Sequence, residues 1–258
     1  PAQIHTFFEP KETKFHGKNV IGIMDSGKPG PVIYLGGHLD TVQLCNGWTK
    51  PPYEGVIEGD DMYGVGALDM KSGVAGHMYL IKYFSEHPEE LDGNIIAIAE
   101  CDEEDNSKGI ITALDELVEL KKTEGFNYMA CINADYSTNY SPGDENRYIY
   151  YGSIGKLLPC FVAFGKEAHV GQAFSALDPN LLIAEITKKM SLNTNLCDIA
   201  QGEVAIPPVS LKQMDTKGPY TVQTALTAFS YYNFFTHGWD PAQVLAKSRE
   251  VAESGNNF

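Results

Sequence analysis

Short apolar runs that end in polar clusters, alternating with segments of helical period, constrain this chain more than any other feature. Val32 to Leu35 runs into Gly36-Gly37-His38, Ile95 to Ala99 into the acids that follow Cys101, and Met129 to Ala134 into Asp135. Each run has the length of a buried strand. Between them, Ser72 to Phe84 places Val74, Met78, Ile81 and Tyr83-Phe84 at helical spacing. Ser107 to Lys122 does the same with Ile110, Ile111, Leu114, Leu117, Val118 and Leu120. Strands alternating with helices predict an α/β domain, a mixed and mostly parallel sheet flanked by helices. Such sheets bind ligands beyond the carboxyl ends of their strands. The three polar clusters are therefore expected to converge on one site.

The pattern changes at Ser141-Pro142-Gly143-Asp144-Glu145-Asn146, a polar, turn-rich linker. We place a first domain at 1–146 and a second at 147–258. The second reads as a strand (Lys156 to Phe164), a helix (Asp178 to Met190), two strands (Val209 to Met214 and Thr224 to Phe235) and a helix from Asp240 to Ala252. That order predicts a small ferredoxin-like α+β domain. Asp240-Pro241 suits the start of its last helix, as cap and first-turn residue.

Charge excludes some partners. Against 34 acidic residues stand 19 basic ones, a net charge of −15, and only Arg147 and Arg249 are arginine. A surface this acidic repels phosphate backbones and anionic lipid, so neither nucleic acid nor membrane is expected as a partner. The five cysteines (Cys45, Cys101, Cys131, Cys160, Cys197) form no close pair. A reducing, cytoplasmic setting is the expectation. Cys101, Cys131 and Cys160 fall in apolar runs and are expected to pack as small hydrophobes.

The motifs carry the chemistry jointly. His38 with Asp40 can be a metal ligand and the group that fixes its tautomer, or a hydrogen-bonded strand end. Gly64-Val65-Gly66-Ala67-Leu68-Asp69 presents a carboxylate from a tight loop, which two cations can share; an ordinary loop aspartate is the plainer alternative. Asp102-Glu103-Glu104-Asp105 concentrates four acids that repel one another unless cations or solvent intervene. It is either a ligand beside a general base or a solvated acidic turn. Asp135, and His169 in Gly-Lys-Glu-Ala-His-Val-Gly, are individually weak. Hard oxygen donors with one imidazole suit a divalent metal such as zinc, manganese or cobalt. Two such ions form a hydrolytic clamp.

Taken together, Gly-Gly-His-Leu-Asp-Thr-Val, Gly-x-Gly-x-x-Asp-Met-Lys-x-Gly, Asp-Glu-Glu-x-x-Ser-x-Gly and Gly-Lys-Glu-Ala-His-x-Gly, spread from Val32 to Met190, resemble one known family. It is the zinc-dependent family of aminoacylases, succinyl-diaminopimelate desuccinylases, acetylornithine deacetylases and carboxypeptidase G-type enzymes. Pro207 to Gln213 and Phe229 to Phe234 resemble its branch associated with bacterial arginine utilisation. The resemblance implies an aminopeptidase-like catalytic domain and a lid through which relatives form homodimers. It also implies two divalent metal ions. His38 and Asp135 would hold one, Asp69 would bridge both, and Glu104 would hold the second. Glu103 would be the general base, Asp40 would orient His38, and His169 would stabilise the oxyanion. The reaction implied is attack of an activated water on an amide carbonyl of a small N-acyl amino acid or short peptide.

Two departures qualify that expectation. The family's last metal-ligand histidine comes from a catalytic segment that returns after the lid, and none is recognisable before Phe258, so the chain reads as an interior piece of a longer hydrolase. No arginine occurs between Gly152 and Ser248 to grip a substrate carboxylate. The alternatives are a catalytically incomplete family member serving as a binding or assembly module and, more remotely, a two-metal phosphoesterase.

Overall fold

The computed structural model describes residues 3–8 and 17–254. Packing divides the chain into two units, Pro1–Tyr148 and Ile149–Phe258.

Unit 1 is built on a five-stranded sheet. Its strands are β1 (Gln3–Phe8), β2 (Lys18–Asp25), β3 (Val32–His38), β6 (Asn94–Glu100) and β7 (Tyr128–Asn133), in the order β1-β2-β6-β3-β7. A small hairpin, β4 (Val56–Glu58) with β5 (Asp61–Tyr63), stands apart. β3 runs parallel to both β6 and β7, whereas β2 is antiparallel to β6 and to β1. Helix α1 (Ser72–Glu86) packs Ile81 and Phe84 against Met24, Leu35 and Ile95 on one face. On the other face α2 (Lys108–Thr123) sets Ala113, Leu117 and Leu120 against Ile21, Val32, Ile96 and Ile98. Covering both faces with apolar stripes is what lets β3 and β6 read as nearly continuous hydrophobic runs.

β7 differs from the buried strand expected. Among the described residues it is the sheet edge, paired with β3 alone, and Met129 and Ile132 are 63% and 50% exposed. Cys131 on this edge and Cys160 are exposed and Cys101 is partly so, so the three cysteines are not the buried hydrophobes anticipated. The sequence pattern predicts neither β1 nor β2, whose strand character comes from pairing with one another and with β6.

In unit 2, β8 (Gly155–Leu157) and β9 (Cys160–Phe164) both pair antiparallel with β13 (Thr227–Thr236), whose other neighbour is β12 (Val209–Asp215). The single strand expected over 156–164 is split at Leu158-Pro159, because proline cannot donate to a ladder. Helices α3 (Pro179–Met190) and α4 (Pro241–Ser254) contribute Ile183, Met190, Val244 and Val251 to cores built on Ala228, Tyr232 and Phe234. A two-residue hairpin, β10 (Ile199–Ala200) with β11 (Glu203–Val204), precedes β12. Asp240 starts α4 through a reciprocal box: its Oδ1 accepts the Gln243 N–H at 2.8 Å, and Gln243 Oε1 accepts the Asp240 N–H at 2.8 Å.

Candidate metal centre

The carboxyl ends of β3, β6 and β7 lie side by side, and each releases a polar segment there. From the end of β3, His38 is 1% exposed. Its Nδ1–H donates to the Asp40 carbonyl oxygen at 3.0 Å, which leaves Nε2 facing Asp69 Oδ1 at 3.1 Å. A proton fixed on Nδ1 presents the Nε2 lone pair for ligation. Burial alone would lower the His38 pKa, but the Asp40 carbonyl and carboxylate, Glu103 and Asp69 outweigh it and leave it raised.

Asp69 comes from an irregular turn, Ala67–Lys71, between the hairpin and α1, and the Asp69–Met70 peptide is cis. Lys71, the lysine of the Asp-Met-Lys motif, ties this turn to the exit of β3 by donating Nζ–H to the Leu39 carbonyl at 2.9 Å. Burial and then the neighbouring Asp135 carboxylate raise the Asp69 pKa, against the pull of His38. Asp135 follows β7, and α1 starts close beside it. A Cβ on Gly73 would stand 2.3 Å from the Ala134 carbonyl oxygen, so only glycine permits that approach. Ligand atoms of His38, Asp69 and Asp135 all lie within 4.8 Å of one another. That donor set fits a divalent cation: three like-directed oxygen and nitrogen donors, two of them anionic and mutually repelling.

The acidic turn arrives from β6. Here the structure adds a role for Asp40 that the sequence did not reveal. Its carboxylate sits 3.5 Å from His38 Nδ1, and its two oxygens accept the backbone N–H groups of Glu103 (3.1 Å) and Glu104 (3.0 Å). Asp40 thus orients His38 chiefly through its carbonyl and clamps the tip of the acidic turn with its side chain. Burial, then Glu104, Asp135 and Asp40, raise the Glu103 pKa against the effect of His38. Glu104 is raised by burial and by Asp69, while its carboxylate accepts the Val42 N–H. Glu104 stands outside the three-residue cluster but within electrostatic reach of Asp69.

Two groups beneath the centre escaped the sequence reading. Glu100, paired in register with His38, is 8% exposed, and burial followed by Glu103 pushes its pKa up to about 7. His77 is buried in α1 with neither ring nitrogen hydrogen-bonded among the described residues, and burial lowers its pKa. The adjacency of Glu100 to the acidic run was a usable signal; nothing marked His77. A cleft of about 340 Å³ adjoins the centre, bounded by Leu39, Thr41, Tyr53, Met62, Gly66 and Lys71.

In unit 2, His169 caps a short turn. Its Nδ1 accepts the Gly171 N–H at 3.0 Å, so a neutral ring carries its proton on Nε2 and offers it outward. His237 contributes a backbone N–H to Asp198, as do Gly238 and Trp239, each at 2.7 Å. His16 lies outside the described residues, and of His5 only the backbone is described.

Comparison with known proteins gives one consistent answer. The model of peptidase family M20/M25/M40 matches residues 34–229. Protein RocB of Bacillus subtilis is 41% identical over 195 residues, which is 76% of this chain and 34% of RocB. A succinyl-diaminopimelate desuccinylase of Hydrogenovibrio crunogenus is 32% identical over 157 residues, 60% of this chain and 40% of its own. The chain thus spans about a third to two fifths of these relatives. Among solved structures, a tripeptidase of Staphylococcus aureus superposes with a TM-score of 0.63 at 18% identity, covering 98% of this chain and 61% of that one. The dipeptidase Dug1p of Saccharomyces cerevisiae gives 0.66 at 14% identity, covering 98% and 65%. At such identities the structures speak to the fold alone.

Proposed function

We propose, from the premise that this chain belongs to peptidase family M20/M25/M40, that it carries the metal centre of a two-metal amidohydrolase, a deacylase or peptidase. Its substrate would be a small N-acyl amino acid or a short peptide. The convergence of His38, Asp69 and Asp135, with Glu103 beside them, is the observation that carries this reading.

Zinc is the metal we assign, with cobalt or manganese acceptable to the same donors. Bound there, such ions supply Lewis acidity and a water of lowered pKa. His38 Nε2 and Asp135 would hold the first ion, Asp69 would serve both, and Glu104 would hold the second. Glu103 takes the proton of the attacking water and returns it to the leaving amine. Burial and the neighbouring carboxylates raise its pKa, which favours holding the proton it must return. Asp40 keeps Glu103 and Glu104 in place through their amides. His169, with its proton on Nε2, is the oxyanion donor. The resemblance of Pro207 to Gln213 and Phe229 to Phe234 to the arginine-utilisation branch supports a place in arginine breakdown, and we carry over from the family a cytoplasmic homodimer joined through the lid.

The test is hydrolysis of a panel of N-acyl amino acids and dipeptides, with and without added zinc. Glu103→Gln should keep its metal and lose turnover by about 10²–10⁴-fold. A Glu103→Gln protein of near-full activity would sink the base assignment.

A further inference from the structure

We infer that Asn19 is a positioning residue that fixes the acidic turn by bridging its two feet; this rests on the reading of Glu103 and Glu104 as base and ligand. Asn19 is fully buried, 0% exposed, at the start of β2. Its Oδ1 accepts the Cys101 N–H at 3.1 Å, and its Nδ2 donates to the Gly109 carbonyl at 2.7 Å. Cys101 is the first residue after β6 and Gly109 lies in the first turn of α2, so one amide spans the entrance and the exit of the segment carrying both glutamates.

The chemistry admits few substitutes. The two feet present opposite polarity, an N–H and a carbonyl, to a side chain that is itself fully buried. Of the small side chains, a carboxamide alone offers a fixed acceptor and a donor together. The bridge also takes over where the sheet stops, since the last registered pair of β2 with β6 is Val20 with Ala99. The feet themselves touch. A Cβ on Gly109 would lie 2.0 Å from the Cys101 carbonyl oxygen and 2.9 Å from Asn19 Oδ1.

Between the feet the backbone is held in conformations it does not favour. Asp102 (φ 61°) and Ser107 (φ 53°) are both left-handed without being glycine. Four consecutive acids add mutual repulsion. Asp40 holds the tip, but it leaves the separation of the feet undefined. Asn19 sets that separation, and with it where the Glu103 and Glu104 carboxylates stand relative to His38 and Asp69.

The experiment is hydrogen exchange followed by cobalt titration, on the full chain and on Asn19→Leu and Gly109→Ala, which open the feet from opposite sides. Exchange of the 101–109 amides should rise at least ten-fold in either variant, with β3 unchanged, and cobalt affinity should fall at least ten-fold. Unchanged exchange at 101–109, or a rise spread evenly over the sheet, would overturn the positioning role. So would loosened 101–109 amides with wild-type cobalt affinity. Glu104→Gln separates the two claims: if it binds cobalt like wild type, the ligand assignment fails, and exchange decides for or against the bridge.

Discussion

Glu100 shows how a single buried carboxyl links the centre to stability. Its pKa of about 7 in the folded chain lies above the ordinary 4.5. The folded state therefore holds a proton that the unfolded state has released between those values, and stability falls as pH rises through that window. The cost above pH 7 is roughly 3 kcal/mol. Glu100→Gln should remove that share: in chelated protein, the decline of the melting temperature between pH 4.5 and 7 should become shallower. An unchanged pH profile would show that another group is responsible. At this scale the sequence exposed the candidate ligands but not the groups that hold them. His38, Asp69 and Asp135 stand beside glycines and strand ends, whereas Asn19 and the Asp40 carboxylate act through backbone amides 82, 63 and 64 positions away. No local pattern encodes a contact at that distance.

Among the elements, the junction of α1 with the end of β7 is one of the close ones. Gly73 lets the helix start within contact of Ala134, immediately before Asp135. Gly73→Ala should push the two apart and weaken cobalt binding by about ten-fold or more while leaving unit 2 untouched. Titration with circular dichroism as a folding control reads this directly, and wild-type affinity would show that the junction tolerates a methyl group. The elements legible from sequence were those with clear period and punctuation: α3 and α4, each opened by Asp-Pro, and β3 and β6, apolar on both faces. β2 was not legible, because Lys18-Asn19 and Gly22 interrupt its run and its strand character comes from β6. The split of β8 from β9 was missed because Pro159 sits inside an otherwise apolar run.

For the molecule as a whole, the exposed edge is the conspicuous feature. β7 leaves Met129 and Ile132 outside, and α2 turns Ile111, Leu114 and Val118 outward as well. Apolar strand edges of this kind template further pairing. The chain should self-associate at rising concentration despite its net charge of −15. Ile132→Lys should reduce that association in sedimentation experiments without lowering the melting temperature; association unaffected by the substitution would place the sticky surface elsewhere. No helix among the described residues is long and apolar enough to cross a membrane.

The central claim is that β3, β7 and the turn before α1 assemble a divalent-metal centre. Metal content per chain, by plasma mass spectrometry on protein purified without chelator, tests it most directly. The wild-type chain should carry bound zinc or a related ion and Asp69→Ala none, because the lost carboxylate is shared by the whole cluster. A metal-free wild type that stays empty on zinc or cobalt titration, or an Asp69→Ala chain that retains its ions, would contradict it.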